Sequence, residues 1–325
     1  MTGRQAAGAG VADDLILPFQ TVARAVRGRL VRLGPAADAI LSRHDYPEPV
    51  AALLGEAMAM VALLAATLKY DGVFTLQTKG DGPVKMLVAD VTTAGALRSY
   101  AQVDRARLQA ALDRPGPGAA PGPAHDPVPR LLGAGHLAFT VDQGPATDRY
   151  QGIVELTGAT LGDCIHHYFR QSEQLQATIT LAAGRVAAGG GGKVWRAGAL
   201  MIQRLPEGHG ADAEAEEEGW REAAAKLASC TRRELLDPGL PPDRLLYRLF
   251  HEGGVRAHRT RPLTDTCRCS QQRVVRMLRS LPRAELEDLK IDGKLVVTCE
   301  FCNRGYRFAE DELDRLYASS PGPAA

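Results

Sequence analysis

Four cysteines form two close pairs, Cys267-Arg268-Cys269 and Cys299-Glu300-Phe301-Cys302, separated by residues 270–298, while Cys164 and Cys230 stand alone. Zn²⁺ favours four soft ligands in a tetrahedron, with Zn–S near ~2.3 Å, and two close pairs on separate turns supply that set. Clustered thiols in a reducing compartment read as a metal or redox site rather than as a disulfide framework. The competing readings are two unrelated pairs of buried cysteines, a purely structural zinc module, and a redox dithiol at Cys299/Cys302. Four thiolates on Zn²⁺ leave a formal charge of about −2, which Arg268 and Arg304 can partly offset. Thiolates in partly exposed, basic surroundings are oxidisable by peroxide or hypochlorite.

The second pair ends an apolar run, Val296-Val297-Thr298, and precedes Asn303-Arg304-Gly305-Tyr306, so a strand-then-turn knuckle is expected. Gly305 is expected to permit the tight backbone, and backbone N–H groups to support the sulfurs. Val274, Met277, Leu278 and Leu281 predict a short helix between the pairs, ended by Pro282.

The elements upstream must carry this module. The chain has 325 residues with Lys+Arg 39 against Asp+Glu 38, and 45% of it is hydrophobic. Such a balance excludes wholesale disorder and advertises neither a nucleic acid nor a membrane as partner. Ala57–Leu68 falls short of the roughly 20 apolar residues that a membrane span needs, and reads as a buried helix. The first residues contain no signal-peptide core, so a cytoplasmic protein is expected.

Pro49–Leu68 predicts helix, while Phe19–Arg32 is ambiguous. Val73–Thr78 and Val84–Val91 flank Gly80-Asp81-Gly82-Pro83 and predict a β-hairpin. Further strands are expected at Leu137–Val141, Tyr150–Leu156, Ala177–Leu181 and Val194–Gln203, and a helix at Leu161–Gln171. The class is α+β: an N-terminal, mostly antiparallel sheet with helices over residues 1–205. Loops are expected at the Pro-rich segment 115–129 and the acidic run 212–218.

Residues 206–262 read as a helical linker. Trp220, Ala223, Ala224, Leu227 and Ala228 share one helical face, and Thr231 with Glu234 forms a capping box. Pro241-Pro242-Asp243 starts another helix whose Leu245, Leu246, Leu249 and Phe250 share a face. Helices this short are marginal alone, so they must dock. Residues 263–318 form the small zinc-binding module, and a disordered tail is expected at 319–325.

Weaker signals carry no site. Gly189–Lys193 lacks the spacing and the Ser/Thr of a phosphate loop. Cys164 with His166 and His167 lacks an acyl-transfer signature, and Cys164 and Cys230 both read as buried structural thiols. Ten arginines between Arg244 and Arg283 suggest a nucleic-acid surface, but no aromatic interleaving supports base stacking, and solvated helix faces explain them better.

The order Cys-x-Cys-Ser, a long spacer, then Cys-Glu-Phe-Cys with Tyr306 and Phe308 resembles the redox-regulated heat-shock chaperone family of about thirty-three kilodaltons. Leu76–Pro83, Tyr150-Gln151-Gly152, Tyr168–Gln174, Gly198–Gln203 and Leu246–Glu252 extend the resemblance over most of the chain, with departures at 115–129 and 212–218. It implies an inactive, reduced monomer holding Zn on Cys267, Cys269, Cys299 and Cys302. It further implies that oxidation forms Cys267–Cys269 and Cys299–Cys302 disulfides, expels zinc and unfolds the switch and linker. The resulting homodimer would hold unfolding client proteins without ATP, through linker residues Trp220, Leu227, Leu245, Leu246, Leu249 and Phe250. This reading is non-enzymatic, a stress-response chaperone with no nucleic-acid or membrane partner. A zinc-module nucleic-acid-binding protein and a thiol oxidoreductase are the alternatives.

Overall fold

The computed structural model describes residues 13–22, 26–113, 126–144, 147–170, 176–188, 191–205, 213–291 and 293–318. It divides into two compact units, Met1–Asp265 and Thr266–Ala325.

The first unit begins with β1 (Leu15–Thr21), β2 (Val26–Leu33), α1 (Pro35–Leu41) and α2 (Glu48–Ala65). There follow β3 (Val73–Gly80), β4 (Val84–Thr92), β5 (Ala96–Val103), α3 (Arg105–Asp113) and a helical turn, Val128–Leu132. Next come β6 (Gly135–Asp142), β7 (Tyr150–Glu155), α4 (Leu161–Tyr168), β8 (Ala177–Ala187) and β9 (Lys193–Arg204). Three helices, α5 (Ala213–Ala228), α6 (Arg232–Leu236) and α7 (Pro242–Phe250), lead to the short strands β10 (Val255–Ala257), β11 (Arg261–Pro262) and β12 (Thr264–Asp265).

Two six-stranded sheets result, the first ordered β10-β1-β2-β9-β8 with β11 also on β1, the second β12-β5-β4-β3-β6-β7. Pairing is antiparallel except for β12 on β5, which is parallel. Helix α2 lies in the core with the inner faces of both sheets, where Ile16, Val31 and Met201 meet Leu54, Met58, Val61, Leu76, Leu87 and Phe139. It is apolar on nearly every side, as a helix packed all round must be. By length and composition α2 could cross a membrane, but 78% of that window is buried within the fold.

The ambiguous stretch Phe19–Arg32 is the end of β1 and most of β2. Its periodicity is blurred because both faces of this sheet are covered, so apolar residues fall on both sides. Ile16 faces α2, whereas Leu15, Leu17 and Phe19 point outward. That outer face, completed by Leu30, Leu200 and Ile202, carries α5–α7 through Leu227, Leu235, Leu245, Leu246, Leu249 and Phe250. The Phe19 and Phe250 rings lie 5.4 Å apart.

Polar contacts fix where α6 sits. Thr231 and Glu234 form the expected capping box. Arg232 reaches the Ala183 carbonyl and approaches Glu56 at 3.9 Å. From β2, the fully buried Arg32 donates to the carbonyls of Leu240 (3.1 Å) and Asp237. The helix comes so close to β9 that a Cβ on Gly198 would sit 2.9 Å from Leu235 Cγ.

Two expected loops are partly helix. From Ala213 onward the acidic run forms the first turns of α5, where carboxylates favour the positive end of the helix dipole; Arg204 pairs with Glu217 at 2.8 Å. Asp212 lies outside the described residues, as do 115–125 of the Pro-rich segment, 171–174 of the family match, Gly189-Gly190 and the tail from Ser319. Val128–Leu132, at the end of the Pro-rich segment, packs Val128, Leu131 and Leu132 into the core. Strand β5 and helices α1 and α3 went unanticipated in sequence.

The second unit holds α8 (Gln271–Arg279), a 3₁₀ stretch (Arg283–Leu289), β13 (Lys290–Ile291), β14 (Lys294–Thr298), β15 (Gly305–Phe308) and α9 (Glu310–Ala318). Among the described residues its buried core is Leu278, Leu286, Leu295, Phe308 and Leu313. Arg283, in ion pairs with Glu287, Glu310 and Asp314, ties the 3₁₀ stretch to α9.

Candidate metal centre

Cys267 and Cys269 lie on the irregular segment before α8, which Ser270 caps by accepting from Arg273 N. Cys299 and Cys302 sit in the turn between β14 and β15. The turn closes through Asn303 N to Cys299 O at 2.8 Å and Cys299 N to Arg304 O at 2.9 Å. Its tight position is Asn303, at φ 57°, a left-handed conformation that Asn tolerates. The expectation for Gly305 is therefore corrected: that residue opens β15, and a Cβ there would meet nothing within 4 Å.

The four sulfurs lie within 4.8 Å of one another. Cys267 Sγ is 3.8 Å from Cys299 Sγ, and Cys269 Sγ is 3.4 Å from Cys302 Sγ. A tetrahedral ion with ~2.3 Å bonds to sulfur needs edges of about 3.8 Å, so the donors fit. All four are half-buried free thiols.

Backbone N–H groups of Phe301 and Cys302 donate to Cys299 Sγ, and that of Arg304 to Cys302 Sγ, as the knuckle reading expects. Burial raises the Cys299 thiol and pushes Cys302 up to about 12. Cys269 behaves oppositely. Burial opposes its ionisation, but hydrogen bonds from Tyr306 and the other three thiols prevail and bring it down to about 7. The Tyr306 hydroxyl donates to Cys269 Sγ at 3.1 Å. The sequence names Tyr306 only as part of a family pattern; its role depends on β15 pairing with β14, where it stands opposite Val297.

The remaining candidates lie elsewhere. Cys164 and Cys230 are buried, and burial pushes each thiol up to about 11. His166 Nε2 accepts from Ile179 N and serves the fold. Leu227, Leu245, Leu246, Leu249 and Phe250 are buried on the outer face of the first sheet, with Trp220 partly buried beside them. Of the arginines in the basic stretch, Arg248 pairs with Glu234 at 2.6 Å and Arg283 with three carboxylates.

The family model described as Hsp33 protein matches residues 14–309. A 33 kDa chaperonin of Caulobacter vibrioides is 42% identical over 303 residues, covering 92% of this chain and 95% of the relative. A 33 kDa chaperonin of Ectopseudomonas mendocina is 36% identical over 301 residues, covering 92% and 93%. A crystal structure of the 33 kDa chaperonin (heat shock protein 33 homolog) of Thermotoga maritima superposes with a TM-score of 0.75 at 25% identity, covering 94% of this chain and 98% of that one. With a family model matched from the first strand to the last strand, and relatives this similar over nearly their whole length, the chain belongs to the Hsp33 family.

Proposed function

We propose that this chain is a redox-regulated, ATP-independent chaperone that holds unfolding client proteins, with Zn²⁺ on Cys267, Cys269, Cys299 and Cys302 in its reduced, inactive state. One observation carries the reading: four thiols converge in a unit whose own buried core, among the described residues, is five side chains. Bound there, zinc would hold the sulfurs as thiolates and clamp the loop before α8 to the β14–β15 turn. A structural zinc contributes about 10–16 kcal/mol of apparent folding free energy in small modules, and the 60 residues from Thr266 bury too little to stand without such a clamp.

Oxidation acts on the chain's own sulfurs. A thiolate attacks one oxygen of a peroxide, the O–O bond breaks, and hydroxide leaves, giving a sulfenic acid. The neighbouring thiolate then attacks that sulfur and expels a second hydroxide, forming the disulfide. Each peroxide thus takes two electrons from one thiol pair and, with two protons, ends as two waters. Family motif matching supports Cys267–Cys269 and Cys299–Cys302 as the pairs, and each disulfide withdraws two metal donors.

Loss of the clamp would unfold the cysteine unit, and disulfides that keep it from refolding would let the unfolding spread through the chain back to β12 and free α5–α7. Trp220, Leu227, Leu245, Leu246, Leu249 and Phe250, with the sheet face beneath them, then offer apolar surface to clients. The oxidised form is read as a homodimer, the reduced form as a monomer, and the setting as cytoplasmic. Nothing in this scheme requires catalysis or nucleotide. The test is light scattering from a thermally unfolding client with reduced and oxidised protein side by side. Oxidised, zinc-free protein should suppress aggregation without ATP; suppression no better than by the reduced form would sink the switch.

A further inference from the structure

The C-terminal end of α2 opens into a cleft of about 480 Å³, walled by Ile16, Tyr70, Val91 and Leu263 among others. Among the described residues, Lys69 and Arg261 are its only charged lining residues. The sheet brings more positive charge behind them. Arg261 stands opposite Ile16, and Ile16 opposite Val31. Arg261 therefore projects from the same sheet face as Arg29 and Arg27, two and four residues before Val31 on β2.

Arg29 spends Nε on the carbonyl of Ala66, itself a cleft residue, at 3.0 Å. Its Nη1 is buried and, among the described residues, has no hydrogen-bond partner. Burial, then repulsion from Arg27 and Arg261, pulls the Arg29 guanidinium down to about 10. Among the described residues, no ion pair involves Lys69, Arg29 or Arg261. The carboxylate that influences Tyr70 electrostatically, Asp90, is committed to Arg98 at 2.9 Å. A cap on the α2 carbonyls explains one nitrogen of Arg29. The negative end of the α2 dipole, about half a charge, offsets part of this positive charge, but among the described residues no carboxylate pairs with Lys69 or Arg261 as well, and an anion joining them would relieve the remaining repulsion.

We propose that this cleft binds a small phosphate ester, its anionic head between Arg261 and Lys69 and its apolar body along Ile16, Tyr70 and Leu263. Several uncompensated cations favour a dianion over a monocarboxylate. The volume lies within the ~300–1,000 Å³ of small-molecule sites. The site is independent of the cysteine cluster and of the chaperone reading.

Phenyl phosphate is the probe, titrated calorimetrically into reduced full-length protein, with inorganic phosphate and NaCl at matched ionic strength as controls. Phenyl phosphate should saturate at one per chain and bind at least about tenfold tighter than inorganic phosphate. Arg261→Gln and Lys69→Gln, both surface changes, should each weaken it by about tenfold with circular dichroism unchanged. No saturation above the NaCl baseline, affinity equal to that of inorganic phosphate, or unchanged affinity in both variants would overturn the proposal.

Discussion

Within the cysteine cluster, Cys269 is the sulfur most shaped by its neighbours, and Tyr306 is the one non-cysteine side chain that the structure shows bonded to it. Removing such a supporting hydrogen bond costs roughly 10–100-fold in metal affinity. Tyr306→Phe should therefore lose zinc to a competing chelator about that much more readily, at unchanged stoichiometry. Cys164→Ser and Cys230→Ser should leave both stoichiometry and affinity alone. A different residue governs stability against pH. Burial, only partly offset by Arg232, pushes Glu56 from 4.5 up to about 7. Its folded value is raised, so its contribution to stability is fully present below about pH 4.5 and is lost as pH rises through about 7. Glu56→Gln should thus stabilise the protein at pH 8 by on the order of 2 kcal/mol and change little at pH 4.5. Urea unfolding at the two pH values checks this; an equal effect at both would show that Glu56 does not titrate in that window.

The docking of α5–α7 is the element on which the proposed switch turns, and its apolar side was readable in sequence from the spacing of Leu245, Leu246, Leu249 and Phe250. Its surface of attachment was not. Ile16 and Val31 face one way, Leu17 and Leu30 the other, and a strand apolar on both faces has no period to detect. The acidic residues 214–218 misled for a related reason, because charge suggests a loop unless the helix dipole is considered. Arg32 escaped notice because its acceptors, the carbonyls of Asp237 and Leu240, lie some two hundred positions away. The cysteines were legible by spacing alone, whereas Tyr306 needed the β14–β15 register and the basic cleft needed β2, α2 and β11 together. Polar replacement of Leu245, Leu249 and Phe250 should release these helices, since each truncation of a buried Leu or Phe costs about 2–5 kcal/mol. Amide exchange over residues 213–250 should then rise in the reduced protein, with some suppression of client aggregation. Rapid exchange without suppression would separate linker release from client binding.

At the scale of the whole molecule, the chain joins a large unit with two interior-packed sheets to a small one whose buried core, among the described residues, is five side chains. Their stabilities have different sources. The first rests on burial around α2, and its two thiols, Cys164 and Cys230, are both buried. The second, on the proposed reading, rests on a metal that the four sulfurs would hold. Two-state unfolding of the full chain is therefore not expected. Chelation of the reduced protein should open the cysteine unit first, and trypsin should cut at Arg268, Arg273, Arg276 and Arg279 while β1–β9 remain protected. Mild peroxide should give the same early cuts and, in addition, expose Arg232, Arg233, Arg244 and Arg248 on the released helices. The two digests differ only in whether the linker follows the cysteine unit, so together they separate the metal's structural role from the proposed switch. Chelated protein digested no faster than the zinc-loaded form would mean that the module holds its fold without metal, and the source of stability assigned here to the sulfurs would be wrong.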